Sequence, residues 1–165
     1  PVRPVQHRRG TAPNTPKVRP AFKRRKGGDC EMQDSRMQVN AIAPRKLAQA
    51  FMAHVAASDQ KKIVVISSKA GSFELSPKMP MMYSYRGSKA ALNMYIYTLS
   101  FETAKRDVIT VLLSPGLVNT TPGFVNKNAM SPEESVTLLM KVIDEVTPEN
   151  NGQFLNHTDG SEIGW

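Results

Sequence analysis

Apolar residues along this chain follow two patterns, runs of consecutive residues and repeats at helical spacing. The runs IVVI (63–66) and VITVLL (108–113) are typical of short strands buried on both faces, and GQFLN (152–156) predicts a third strand. Spacings of three and four predict helices at 36–57, 85–105 and 131–146. Helices and strands therefore alternate, which predicts an α/β fold with a parallel sheet covered on both faces.

The first and last helices each have a predicted core face. The first should bend or begin near Pro44. Its apolar positions are Val39, Ile42, Ala43, Leu47, Ala50, Phe51 and Val55. The last helix has Ser131 as its N-cap, Pro132 at its first position and Glu134 completing a capping box. Its predicted core face is Val136, Leu139, Met140, Ile143 and Val146.

The formal net charge of +8 comes from the start of the chain. Residues 1–28 carry nine Lys or Arg and no Asp or Glu, whereas residues 29–165 carry 13 basic and 14 acidic residues. Because residues 1–28 contain little to bury, we predict a basic disordered tail (1–28) followed by one α/β domain (29–165). A polyanion-binding arm is the alternative for the tail, but the near-neutral domain disfavours a nucleic-acid partner.

Other classes of site have little support in the sequence. The single cysteine, Cys30, excludes an internal disulfide and favours a reducing, cytoplasmic location. The three histidines, His7, His54 and His157, show no metal-ligand spacing, so no metal site is predicted. No apolar run approaches the length of a membrane span, so we expect no membrane association.

Polar groups follow two neighbouring strands of the predicted sheet. Ser67 and Ser68 come directly after IVVI, and Ser-Pro-Gly (114–116) follows VITVLL. Tyr85 and Lys89 stand one turn apart at the start of the middle helix. Ligands of open α/β sheets bind beyond the carboxyl ends of the strands, so these groups should share one crevice. Taken singly, each motif also fits an ordinary turn or an exposed helix lysine.

In this order the motifs resemble the short-chain dehydrogenase/reductase family. The matching segments are ISS (66–68), YRGSK (85–89) and SPGLVNT (114–120). YSYRGSKAALNMYIYTLSFE (83–102) and TPENNGQFLNHTDGSEIGW (147–165) are similar to the C-factor-like branch of that family. QVNAIAPRKLAQAF (38–51) resembles the family helix that carries an active-site Asn. The resemblance covers about residues 29–165.

The resemblance implies an oxidoreductase that moves hydride between NAD or NADP and an alcohol or carbonyl substrate. The catalytic residues that it implies are Asn40, Ser68, Tyr85 and Lys89. Tyr85 would be the general acid/base, its phenolate favoured by the Lys89 ammonium. Ser68, preferred to Ser67 as the second of the pair, would hold the reacting oxygen. Tyr85 is preferred to Tyr83 because only Tyr85 has a lysine four residues later.

The resemblance also implies how a cofactor would be held. Lys89 would bind the nicotinamide ribose, and Asn40 would hold a water that links Lys89 to solvent. The implied cofactor-binding residues are Tyr85, Lys89, Pro115, Gly116, Val118 and Thr120. Residues 69–82 and 119–130 should line the substrate pocket. The methionines of the first segment either form its apolar wall or serve only in packing; they are Met79, Met81 and Met82.

One part of the family pattern is missing from the chain. The Gly-rich T-G-x-x-x-G-x-G turn that cradles the dinucleotide has no match, and neither has the family's N-N-A-G strand. We therefore expect a partial Rossmann-like doubly wound parallel sheet that lacks its first strands, in a truncated or mis-framed family member with impaired cofactor binding. The alternative function is a catalytically impaired remnant that acts through protein–protein contacts. A homo-oligomer would form through helices 40–57 and 85–104.

Overall fold

The computed structural model describes residues 28–76, 78–122 and 125–165, so the predicted tail lies outside the described residues except for Gly28. This part of the chain forms four α-helices and three β-strands, and one α-helix separates each strand from the next. The helices are α1 (Gly28–Met37), α2 (Ala43–Ala56), α3 (Tyr83–Thr103) and α4 (Pro132–Glu145). The strands are β1 (Lys62–Ile66), β2 (Ile109–Ser114) and β3 (Phe154–Asn156).

The three strands form one parallel sheet in the order β1-β2-β3. Val64 of β1 is opposite Val111 of β2, and Leu113 of β2 is opposite Leu155 of β3. Helix α3 connects β1 to β2, and α4 connects β2 to β3. The α/β fold with a parallel sheet is thus confirmed, and all three carboxyl ends of the strands lie at one edge.

The core has two parts because successive side chains of a strand point to opposite faces of the sheet. Leu112 of β2 packs with Ile96 and Leu99 of α3 on one face. Its neighbours Val111 and Leu113 pack on the other face, against α4. Helices α2 and α3 therefore cover one face, and α4 covers the other.

Helices α1 and α2 are joined by a π-helical turn, Gln38–Ile42. Pro44 has no backbone N–H, so the carbonyl of Asn40, four residues earlier, has no α-helical donor. In the same turn the N–H of Ala43 donates to the carbonyl of Gln38, five residues earlier, which is the hydrogen-bond pattern of a π-helix. The predicted irregularity near Pro44 is therefore present, but the helical segment begins at Gly28 rather than near residue 36.

The predicted core face of α2 is largely wrong. Ala48 is buried against the core, together with the partly buried Met52 and Val55, whereas Leu47 and Phe51 are 58% and 56% exposed. The apolar stripe of this helix is wider than the strip that three strands can cover. A substantial apolar surface of α2 is consequently left uncovered within the described residues.

Helix α4 begins as predicted and packs through a shifted face. The Ser131 hydroxyl accepts a hydrogen bond from the Glu134 N–H (3.1 Å), and the Ser131 N–H donates to Glu134 Oε2 (2.8 Å), which completes the capping box. The buried helix positions are Ser135, Leu139 and Val142. Two residues of the predicted core face are half-exposed; they are Val136 and Met140.

Strand β1 is an edge strand within the described residues, since it pairs only with β2. Its last residue, Ile66, is 43% exposed despite its apolar side chain. Unpaired backbone groups on an apolar edge can accept another strand. No helix in the described ranges is long and apolar enough to cross a membrane.

Candidate active site

The two serines after β1 have different environments. Ser67 is buried, its N–H donates to the Leu113 carbonyl (2.8 Å), and its hydroxyl donates to Asn93 Oδ1 of α3. Ser68 is only partly buried, and its hydroxyl accepts a hydrogen bond from the Ala70 N–H (3.1 Å). The Ser67 hydroxyl thus uses its proton in a buried hydrogen bond. The Ser68 hydroxyl acts only as an acceptor here, so its proton can be donated to another group.

Lys89 connects α3 to the end of β1. Its Nζ donates a hydrogen bond of 3.0 Å to the carbonyl of Ile66, which is two residues before Ser68. Burial lowers the pKa of the Lys89 ammonium from its ordinary value, because the charged form loses part of its hydration. A partly desolvated ammonium therefore lies at the carboxyl edge of the sheet, where its field on nearby groups is less screened.

Gly71 allows the turn after Ser68 to pack directly against α3. A Cβ at this position would lie 2.8 Å from the backbone carbonyl carbon of Lys89 and 3.0 Å from the backbone nitrogen of Ala90. Any larger residue would push the turn away from the helix. The distance between the Ser68 turn and Lys89 therefore depends on a glycine that the sequence analysis did not single out.

The end of the chain also holds this turn. The Ser72 hydroxyl donates to the Gly164 carbonyl (2.6 Å), and the Glu74 N–H donates to the Trp165 carbonyl (3.1 Å). The Trp165 ring contacts Tyr97 of α3 and Phe154 of β3, with ring centroids 5.5 and 5.8 Å apart. The segment that follows Ser68 is thus fixed on two sides, by α3 and by the last residues.

Tyr85 lies in the first turn of α3, and its backbone is tied to Asn40. The Nδ2 group of Asn40 donates to the Ser88 hydroxyl (3.1 Å), which donates to the Tyr85 carbonyl (2.8 Å). Ser88 is fully buried, and the partly buried phenol of Tyr85 makes no hydrogen bond to another described residue. Asn40 therefore reaches the tyrosine turn, with its side chain bonded to Ser88 rather than to Lys89.

The Pro-Gly turn follows β2 at the same edge. Gly116 has a φ of +78°, a left-handed conformation that favours glycine, and the Pro115 carbonyl accepts a hydrogen bond from Ser135 of α4 (2.9 Å). Val118 forms a parallel bridge with Met130, which brings the loop back to the start of α4. Thr120 is exposed and lies further out.

A buried histidine, His157, lies beside this turn, and the sequence analysis missed it as a site residue. It follows β3 directly and is 6% exposed. A Cβ on Gly116 would lie 2.6 Å from its Nε2. The only signal in the sequence was a polar ring directly after a strand end, since the contact with Gly116 joins residues that are distant along the chain.

Only one of the three methionines predicted to form an apolar pocket wall lines the open cavity beside residues 70–76. Met79, Met81 and Met82 are all substantially exposed, and of these only Met81 lines an open cavity of about 300 Å³. That cavity lies between the 70–76 segment and the part of α3 that includes Tyr83, Gly87 and Ala90. Neither Tyr85 nor Lys89 lines it, although it adjoins the Ser68 turn through Ala70 and Gly71.

Together these contacts bring the Ser68 turn, Lys89 and the Pro115–Gly116 turn to one edge of the sheet. The phosphate cradle of a dinucleotide is not matched by any Gly-rich segment of the sequence. In the part of the chain that the structure describes, no group of three His, Cys, Asp or Glu residues could hold a metal ion.

A family model described as "short chain dehydrogenase" matches residues 23–131. The chain belongs to the short-chain dehydrogenase family. It is 32% identical to the C-signal of Myxococcus xanthus over 127 residues, which cover 77% of this chain and 75% of that protein. It is also 34% identical to short-chain dehydrogenase srdF of Neurospora crassa over 137 residues, covering 77% of this chain and 54% of the relative.

Solved structures extend the comparison to the fold. The NADPH-bound carbonyl reductase from chicken fatty liver is similar with a TM-score of 0.73 and 31% identity, over 82% of this chain and 57% of that one. The carbonyl reductase Sniffer of D. melanogaster has a TM-score of 0.69 and 28% identity, over 78% and 55% of the two chains. This short-chain dehydrogenase chain therefore spans little more than half the length of the carbonyl reductases that it resembles.

Proposed function

We propose that this chain carries the catalytic half of a short-chain dehydrogenase that transfers hydride between NAD or NADP and an alcohol or carbonyl substrate in the cytoplasm. The observation that supports this most directly is the hydrogen bond from Lys89 Nζ to the Ile66 carbonyl. This bond holds the partly desolvated ammonium of Lys89, which is one helical turn from Tyr85, at the end of β1. Its acceptor, Ile66, is two residues before Ser68. Two of the similar structures contain NADPH or NADP, which supports a nicotinamide cofactor.

A bound nicotinamide cofactor would supply the hydride chemistry, and in this proposal the side chains of the chain transfer the proton and position the reacting oxygen. Tyr85 gives a proton to the carbonyl oxygen or takes one from the alcohol. In this proposal Lys89 supplies a positive charge one helical turn from Tyr85. The Ser68 hydroxyl donates to the reacting oxygen and fixes its position.

The remaining residues support these groups. Asn40 holds the Tyr85 turn through Ser88 and, in this proposal, a water that connects Lys89 to solvent. The Pro115–Gly116 turn, with Val118 and Thr120, would border the carboxamide of a bound nicotinamide. The proposed domain begins near residue 29 and is preceded by the basic tail.

The proposal is tested by replacing Tyr85 with Phe, which removes only the phenolic oxygen. We expect NADPH-dependent reduction of a panel of aldehydes and ketones to fall at least about 100-fold, since acid–base catalysis contributes that much. The matched control is Tyr95→Phe on the same helix, whose ring lies under the Arg45 guanidinium, 5.9 Å from the ring centroid. Unchanged circular dichroism would show that both variants are folded.

The outcome can go against the proposal in two ways. Turnover that survives in Tyr85→Phe excludes the phenol as the acid. Failure of the parent chain to bind NADPH or NADP⁺, or to turn over any substrate of the panel, argues against catalysis by this chain alone.

The second candidate function is a catalytically impaired chain that acts through protein–protein contacts. It is favoured by the unpaired edge of β1 and by exposed apolar residues on the two helices of the expected homo-oligomer interface. On α2 these are Leu47 and Phe51, and on α3 they are Met94 and Phe101. Burying such side chains between two copies would remove their apolar area from water.

Analytical ultracentrifugation tests this interface. We expect the parent chain to sediment as an oligomer and Phe51→Glu to shift it towards the monomer. Gln49→Glu places a carboxylate on the same exposed helix without removing an apolar side chain, so it should leave the mass unchanged. A parent chain that is monomeric at 100-fold dilution and at high concentration alike would exclude self-association through α2.

A further inference from the structure

His157 lies where the Pro115–Gly116 turn and the end of β3 meet. The turn approaches the imidazole so closely that a Cβ on Gly116 would lie 2.6 Å from Nε2 and 2.7 Å from Cε1. The same Cβ position is 3.1 Å from the methyl carbon of Met130. The ring and the Met130 methyl group therefore enclose the turn from two directions.

The imidazole is buried with an unpaired nitrogen. Its Nδ1 is inaccessible to solvent and has no hydrogen-bond partner among the described residues. A buried polar atom without a hydrogen-bond partner destabilises a protein by about 1–3 kcal/mol. An apolar ring at this position would avoid that loss. Packing alone therefore does not explain why a titratable ring occupies this position.

The charges around the ring favour its neutral form. Burial, and then the Lys69 ammonium, lower the pKa of His157, whereas the Asp159 carboxylate and the Ser114 backbone raise it by less. A proton on His157 would add a second positive charge within the electrostatic reach of the Lys69 ammonium, on a ring that is buried.

We propose that His157 is a positioning residue whose neutral ring holds the Pro115–Gly116 turn in place, and that protonation of the ring displaces this turn and weakens binding of a nicotinamide nucleotide. The part of this inference that concerns the nucleotide depends on the proposed function. The part that concerns the turn depends only on the contacts of His157.

The mechanism follows from the geometry of the contact. An imidazolium requires hydration or an acceptor for both N–H groups, and the buried site gives Nδ1 neither. The ring must therefore move towards solvent, which removes one wall of the space around Gly116. Gly116, in its left-handed conformation, then loses the contact that fixes the direction of the Pro-Gly turn.

The turn is tested by NMR without any cofactor. In the parent chain we expect the backbone amide of Gly116 to shift with pH at the same midpoint as the Cε1 proton of His157, below about 6.5. In His157→Gln the Gly116 amide should no longer titrate. His54→Gln, which removes an exposed histidine of α2, should leave the Gly116 titration intact.

Two results would overturn this part. One is a Gly116 amide that stays constant in the parent chain while His157 titrates. The other is a Gly116 titration that persists in His157→Gln. The first comparison uses only the parent chain, so it remains decisive even if the variant does not fold.

The nucleotide is tested with NAD⁺, which lacks the phosphate monoester that titrates near pH 6. We expect the Kd for NAD⁺ to rise towards a limit of about tenfold per pH unit below the His157 midpoint, as one linked proton requires. In His157→Gln the Kd should be constant over the same range. A parent Kd that does not change with pH refutes the coupling, whereas absence of NAD⁺ and NADP⁺ binding at every pH refutes the proposed function and leaves the turn to be decided by NMR.

Discussion

The closest backbone approach in the candidate site gives a quantitative prediction. Replacing Gly71 with Ala adds one methyl group, and its Cβ would lie 2.8 Å from the carbonyl carbon of Lys89 and 3.0 Å from the nitrogen of Ala90. Both contacts are to helix backbone, which cannot rotate away as a side chain can. The steric clash can be removed only if the Ser68 turn moves away from α3. Overpacking of this kind lowers the free energy of unfolding by about 1–3 kcal/mol.

A second glycine serves as a matched control for this prediction. Gly87 lies within α3 on the exposed side, and a Cβ there meets nothing within 4 Å. Gly87→Ala should therefore stabilise the protein by about 0.5–1 kcal/mol, because alanine loses less backbone entropy on entering a helix. The same Gly→Ala change is thus expected to have opposite signs at two positions that are 16 residues apart.

Urea denaturation followed by circular dichroism measures both changes in the free energy of unfolding, and thermal denaturation measures the corresponding shifts in Tm. For a chain of this size 1 kcal/mol corresponds to roughly 3 °C in Tm, so Gly71→Ala should melt about 3–9 °C lower and Gly87→Ala about 2–3 °C higher. If Gly71→Ala is as stable as the parent, the Ser68 turn does not pack on α3 at this distance. The inferred position of Ser68 relative to Lys89 would then be wrong.

Three further predictions concern stability. Ser67→Ala leaves the buried amide of Asn93 unpaired and should cost about 1–3 kcal/mol, with Ser67→Ala/Asn93→Leu less destabilised than the sum of the single variants. Ser131→Ala removes the N-cap of α4 and should cost about 1 kcal/mol, whereas a change below about 0.3 kcal/mol would contradict the capping box. The pKa of His157 is lowered on folding, so the unfolded chain binds its proton more tightly and stability should fall as pH drops below about 6.5. Chemical denaturation across pH 5–8 should show a smaller slope in His157→Gln, and equal slopes would contradict the assignment.

Local patterns in the sequence were sufficient for the elements themselves. The apolar run at 63–66 lies within β1, Ile109–Leu113 lie within β2, and the Ser131 capping box starts α4, because each depends on residues close together in the chain. The order of these elements also determines the parallel sheet through its right-handed crossovers.

The faces of the helices could not be predicted in the same way. Leu47 and Phe51 were expected in the core but are exposed, because the strands available, rather than the apolar stripe, decide which side of α2 is covered. Similarly, the contacts of Gly71 with Lys89 and of Gly116 with His157 join distant segments through backbone proximity. Ser68, Tyr85, Lys89 and Gly116 were readable in the sequence, but Gly71 and His157, which position their surroundings, were not.

The contact between the segment after Ser68 and the residues Gly164 and Trp165 makes two distant parts of the domain mutually dependent. Loss of Gly164 and Trp165 would take away the hydrogen-bond acceptors of Ser72 and Glu74, and with them one of the two restraints on the segment that follows Ser68.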